Sequence, residues 1–305
     1  MIENAGFACH QLPIMTNSPA ITRERRQPTS EDQSQPGWSA NLALRFAVKG
    51  DRTTIASKSF QGPLAVQKPF YPEGDTCHVY VLHPPGGVVG GDQLAIELNL
   101  EEHSHALLTT PAANKFYRSD ERQSRLQQRF RLEHQAVLEW LPQESIFFDQ
   151  CNTHLATQIE LARDSRLIAW DVICLGRPAS GEPFRQGSIR QTLEILQAGE
   201  VLLNDRLLIE GASKMLTEPW GFSSYPVIGY LVATPTSVST RDKVREMVGF
   251  GESVRLTATL INDLLVCRVL ASQAEQARRK LLEVWQTIRP TIVAKEAIQP
   301  RIWHT

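Results

Sequence analysis

From Trp38 onward the chain is a succession of short apolar runs separated by Gly, Pro, Asn and Asp. LAIELNL (94–100) and SVRLTATL (253–260) alternate apolar and polar positions with period two, as half-buried strands do. Similar runs predict strands at 42–48, 77–82, 106–110, 136–141, 146–148, 155–161, 167–175, 188–196, 201–209 and 264–270. Long helical patterns are nearly absent between them, which argues against a doubly wound α/β fold. Two helices are predicted late in the chain. In 273–288, Ala274, Ala277, Leu281, Val284, Trp285 and Ile288 line one face. Ser272 and Glu275 read as its capping box and Pro290 as its stop. A shorter helix is expected at 241–248, with Gly249 ending it. No repeat of fixed period is visible.

One segment stands apart. The strand 77–82 runs into HPPGGVVGGD (83–92), where four glycines and two prolines fall between Pro84 and Asp92. Gly loses the most entropy on folding, and Pro fixes φ and removes a donor. Such a stretch serves either as tight turns or as a place where another backbone, a ligand or a partner comes close. Both readings stay open for Gly86, Gly87, Gly90 and Gly91. The spacing excludes GxGxxG and GxxxxGK[ST] phosphate loops.

Composition narrows the class. With 305 residues, 42% of them hydrophobic, the chain can bury a sizeable core. The 32 basic residues against 33 acidic ones give no cationic excess, which argues against nucleic acid as a partner. No apolar run reaches the roughly 18 residues of a membrane helix, and no secretory signal is expected. Cys9, Cys77, Cys151, Cys174 and Cys267 form no CxxC pair, so reduced, mostly buried thiols in the cytosol fit best. Residues 16–37 carry three prolines and a single large aliphatic residue, Ile21; residues 1–36 read as a disordered extension ahead of a β domain at 37–305.

Candidate chemistry is sparse. Asp171 interrupts LIAW and VICL, a run apolar on both faces. A carboxylate there must be paired, with Arg166 or Arg177 at hand, or be protonated or solvated by an internal water path. Asp205 in VLLNDRLLI is either a hairpin-turn residue or a second interior acid on one continuous strand. Asp92 reads as a turn cap or as a carboxylate that its glycine neighbours leave open to a hydrated cation. His83, ahead of two prolines, is a structural residue or a ligand. His103 and His105 form an HxH pair, expected on an exposed strand start; Cys77 and His78 are adjacent and point to opposite faces of a strand. Between Lys115 and Arg131 six cations interleave with Phe116, Tyr117 and Phe130. This is a solvated strand face and loop, or a docking patch that includes Lys115, Tyr117 and Arg118. A hydrolase built on His83 or His78 with Asp92 or Asp171 lacks any nucleophile motif.

Five segments carry a resemblance. HPPGGVVGGD, LTTPAANKFYRS (108–119), EWLPQESIFFD (139–149), WDVICLGRPASGE (170–182) and PRIWHT (300–305) resemble, in order, the signature blocks of the urease accessory protein family UreD, also called UreH. The resemblance covers roughly residues 38–305. It implies a non-enzymatic scaffold that binds urease apoprotein and a UreF-like protein, with a UreG-like GTPase recruited through it, and that passes nickel to urease. It also implies a mainly β, helicoid-like stack of sheets, similar to a β-solenoid, with a couple of helices. Nickel accepts imidazole, thiolate and carboxylate ligands. His83, Asp92, Asp171 and Asp205 are then candidates along a metal path, with no tightly bound cofactor and nickel only in transit.

Overall fold

The computed structural model describes residues 37–247 and 253–304. The predicted extension 1–36 and the predicted stop Gly249 lie outside the described residues. The strands in chain order are β1 (Ser39–Lys49), β2 (Arg52–Gln61), β3 (Ala65–Val66), β4 (Cys77–Leu82), β5 (Gln93–Leu100), β6 (His105–Thr109), β7 (Asn114–Phe116), β8 (Ser124–Leu132) and β9 (Val137–Trp140). They continue with β10 (Ser145–Phe147), β11 (Asn152–Leu161), β12 (Arg166–Leu175), β13 (Ser188–Gln197), β14 (Glu200–Glu210), β15 (Val227–Thr234), β16 (Val254–Ile261) and β17 (Leu264–Ala271). Among the described residues two α-helices occur, α1 (Val238–Glu246) and α2 (Ala274–Val293).

The strands form two large sheets. The first runs β14-β13-β11-β8-β5-β1-β2; the second runs β16-β17-β15-β12-β9-β6-β4-β3, with β10 and β7 attached beside β12. From β4 to β13 the chain shuttles between them. Each return lays a parallel strand beside the previous one, which is β-solenoid-like stacking. Partners on the first sheet are 32, 29 and 36 residues apart (Gln93 with Arg125, Ser124 with Thr153, Asn152 with Ser188). The coils differ in length because their connecting loops do, and the longest holds the 3-10 turn Pro178–Ser180. A sequence search for a fixed period therefore finds nothing.

Alternation on β12 sorts the two cores. Leu167, Ala169, Ile173 and Leu175 pack between the sheets. Ile168, Trp170, Val172 and Cys174 pack on the other face, against the helices. The predicted strands recur within three residues, the largest offsets being the earlier starts of β1 and β11. The sequence reading missed β2, β3, β7 and β15 and placed β8 only as part of a solvated strand face. The outer half of β2 is exposed, so it lacks apolar alternation. β15 (VIGYLVAT) lies between β12 and β17 and is largely apolar on both faces; its Gly229 admits α2, since a Cβ there would sit 3.3 Å from Leu281 Cδ1.

Both helices are displaced from their expected bounds. α1 starts earlier, capped by Ser237, whose Oγ accepts from Thr240 N at 3.3 Å. α2 is capped at Gln273, whose N–H donates to Gln276 Oε1 at 3.2 Å, one residue later than the Ser272–Glu275 reading. It also runs through Pro290 to Val293. Pro removes one helical hydrogen bond and crowds the preceding turn, at a cost of about 3 kcal/mol. Burial of Arg289, Ile292 and Val293 holds the last turn in place.

Candidate interior site between the sheets

Between the sheets lies a cavity of about 370 Å³. Its mouth is formed by His83, Pro84, Gly86, Gly87 and the 110–115 loop; Trp140, Pro142, Gln143, Ser145 and Asp171 line the side of the second sheet. Four of the five signature blocks thus meet at one hollow. The fifth packs behind it: Trp303 Nε1 donates to Thr109 Oγ1 at 2.9 Å, and its ring lies 5.5 Å from Trp170 and 5.9 Å from Trp285. Facing Asp171, the first sheet turns Gln128 and Thr157 inward, joined by a 2.8 Å hydrogen bond from Thr157 Oγ1 to Gln128 Oε1.

The glycine segment forms the mouth by lying against β7. Val88 N donates to Lys115 O at 2.7 Å and Tyr117 N to Val88 O at 2.9 Å. The Tyr117 hydroxyl donates to Gly86 O at 2.9 Å, and its ring packs on Phe148. A Cβ on Gly87 would stand 2.6 Å from Lys115 O, and one on Gly90 3.0 Å from Arg122 O; Gly91 has φ +93°. These three glycines answer to close approach or positive φ. Gly86 does not, since its nearest neighbour would be 3.8 Å away. The side chains of Lys115 and Arg118 are exposed.

Asp92 is buried, and its carboxylate accepts from Trp38 N at 2.8 Å and Val89 N at 2.9 Å. It caps the turn and does not border the cavity, which corrects its reading as a carboxylate open to a cation. His83 does border the cavity. Burial pushes its imidazole below the ordinary value, with Asp92 nearby opposing the shift.

The ion pair that is one reading of Asp171 is not formed. Arg177 donates to Glu182 at 2.7 Å and stacks over Phe148. Arg166 has no carboxylate partner among the described residues. Asp171 instead accepts from its neighbour Val172 N at 2.9 Å and from Gln191 Nε2 at 3.0 Å. Burial pushes its pKa up to about 6, against the pull of those two donors. Gln191 borders a second cavity of about 550 Å³, shared with Tyr230, Asp205, Arg268 and Trp220. The Asp171–Gln191 hydrogen bond therefore stands where the two hollows meet. In register, Asp171 pairs with Tyr230 and Tyr230 with Arg268, a polar row along the second sheet. Burial first, then the charges of Asp171 and Asp205, lifts the Tyr230 phenol well above its ordinary value.

Asp205 sits mid-strand on β14, so the hairpin-turn reading is overturned. It is not an isolated interior acid either. Arg268 Nη2 donates to Asp205 Oδ2 at 2.6 Å, and both side chains are substantially exposed.

The largest polar feature escaped the sequence reading. Glu139 is fully buried on the helix-facing side of the second sheet. It accepts from Arg289 Nη2 at 2.8 Å and from Trp285 Nε1 at 2.7 Å, and it meets His105 Nε2 at 2.8 Å. Arg289, also fully buried, reaches Glu73 at 2.8 Å, and Glu73 meets His78 Nε2 at 2.6 Å. Burial opposes ionisation of Glu139, yet the His105 and Arg289 contacts hold it at about 2. The expected exposed HxH pair dissolves here: His103 sits in a turn at φ 61° beside His134, while His105 is buried. Glu139 inside the run VLEWL, and Arg289 on the apolar stripe of α2, were the available signals. Among the described residues no group of three or more His, Cys, Asp or Glu gathers as a metal site.

The fold defines the class: a mainly β, solenoid-like protein with cavities between its two sheets. The family profile of the UreD urease accessory protein matches residues 39–304, and the chain belongs to that family. It is 44% identical over 272 residues to urease accessory protein UreD of Citrobacter koseri, covering 88% of this chain and 92% of the relative. The UreD of Klebsiella aerogenes is likewise 44% identical over 271 residues, covering 88% and 97%. That of Pseudomonas entomophila is 44% identical over 273 residues, covering 90% and 96%.

Proposed function

We propose that the chain is a non-enzymatic urease maturation factor of the cytoplasm. It binds urease apoprotein together with a UreF/UreG-type complex and passes nickel between its sheets. The observation that carries this reading is the Asp171–Gln191 contact between two adjoining cavities. A carboxylate met only by neutral donors holds a charge that no protein cation offsets. A divalent ion gains from that charge as it sheds water. His83 at one mouth and Asp171 in the middle are single donors, set apart from one another, and Asp205 beyond them joins the path only by releasing Arg268. Separate weak ligands favour transit, whereas a converging set would retain the ion. Gln191 is the separator that must turn aside, and its amide can rebond to water in either cavity.

The test is co-expression with urease subunits and a UreF-like protein, using Asp171→Asn. We expect the assembly to form as in the wild type while the nickel content of the isolated urease falls. Full nickel loading through an intact assembly removes Asp171 from the path and favours a purely structural partner-binding role. Loss of the assembly itself makes Asp171 structural.

A further inference from the structure

The geometry points to a second binding site, a groove across the outer face of the first sheet that accepts an acidic peptide segment of a partner protein. It lies on the opposite side of that sheet from the interior cavities and uses none of their charged residues. Its floor is the register row Gln127–Ala156–Thr192–Arg206, with the small side chain of Ala156 at its middle. One wall is the row Arg125–His154–Arg190, and the other is Glu97–Arg129–Gln158–Glu194–Asn204. The hollow of about 510 Å³ lies over the β8 to β14 part of these rows, beside Arg190 and Arg206, while Glu97 and Arg125 lie outside its lining.

Three of the cations on this face are unspent. Among the described residues, Arg125, Arg190 and Arg206 have no carboxylate partner. Arg125 Nε donates only to the Gln123 amide at 3.2 Å and Arg206 Nε only to the Asn204 amide at 3.1 Å. Between two of these arginines, His154 Nε2 is buried with no hydrogen-bond partner. The acids on the face are already engaged: Glu194 accepts from Gln158 at 2.7 Å, and Glu97 lies 3.9 Å from Arg129. Uncompensated guanidinium groups along a groove match carboxylates, which they bind in forked geometry.

The opposite wall decides the class of partner. Its acids, together with the chain's net charge of −1, oppose a uniformly anionic backbone such as nucleic acid. Its amides, Gln158 and Asn204, can bond peptide N–H and C=O groups.

The experiment uses the full chain and a labelled peptide of glutamates spaced by alanine and glycine, read by fluorescence anisotropy at low and high salt. A duplex DNA of matched charge serves as competitor. We expect saturable binding that salt weakens. Arg190→Glu with Arg206→Glu should weaken it by about tenfold or more. Ala156→Trp fills the floor without changing charge and should weaken it comparably, with the thermal midpoint unchanged. Absence of saturable binding overturns the proposal, as does equal binding by the Arg pair variant. Undiminished binding by a folded Ala156→Trp protein overturns the groove and leaves a merely charged surface. Stronger competition by DNA than by unlabelled peptide overturns the choice of partner. Should Ala156→Trp fail to fold, the exposed Arg pair and the DNA competition decide. Nickel transfer is not read, so failure here leaves the interior reading untouched.

Discussion

Glu139 and Asp171 sit on neighbouring strands of the same sheet, on opposite faces, and burial acts on both. Glu139 is held at about 2, whereas Asp171 is lifted to about 6. Burial alone raises either carboxyl; the difference lies in what meets it. Glu139 has a guanidinium, an indole N–H and an imidazole within 3 Å. Asp171 has one amide side chain and one backbone N–H. The first is a closed electrostatic joint between α2 and the sheet. The second is an open charge beside a cavity, and only an open charge is free to meet a passing cation.

The comparison breaks most visibly at Arg289. Arg289→Met leaves Glu139 and Glu73 buried without their cation and should cost about 3–5 kcal/mol, read from denaturant unfolding. A loss under about 1 kcal/mol would mean that solvent reaches the cluster and the joint is not closed. Trp285→Phe removes one donor to Glu139 and should cost about 1.5–3 kcal/mol; an unchanged midpoint would show that the indole bond is dispensable.

For Asp171 the sign reverses. Its folded pKa is raised from 3.8 to about 6, so its contribution favours the fold below about 4 and is lost as pH rises through about 6. Asp171→Asn should therefore stabilise the protein near neutral pH by roughly 1–3 kcal/mol, with the gain vanishing in acid. Glu139 behaves oppositely. Its pKa falls from 4.5 to about 2, so its contribution is present above 4.5 and is lost as pH falls through about 2. A destabilised Asp171→Asn at neutral pH would reveal compensation of that charge and erase the contrast. The smallest expected effect is that of Gln191→Leu. Removing the amide donor should raise the pH at which Asp171 titrates and change stability by about 1 kcal/mol or less. A titration that does not move would place the Asp171–Gln191 bond outside the resting state.

Much of the frame is legible in the chain. Period-two alternation in 94–100 and 253–260 gives strands, and the 3-4 stripe from Ala277 to Ile288 gives α2. The glycines of 83–92 announce a backbone under constraint, and three of the four carry it. These are local facts, since side-chain spacing and backbone sterics act within a few residues. Compensation is not local. Arg289 lies 150 residues from Glu139, and Arg268 lies 63 from Asp205. The arginines nearest to Asp171 in sequence turn elsewhere. The sequence determined that acids would stand among apolar neighbours and which face of a strand they would take. Only the stacking of the two sheets and the docking of α2 decided which acid met a cation and which was left facing a hollow, because a charge is satisfied through space and the chain reaches that space only after it has coiled.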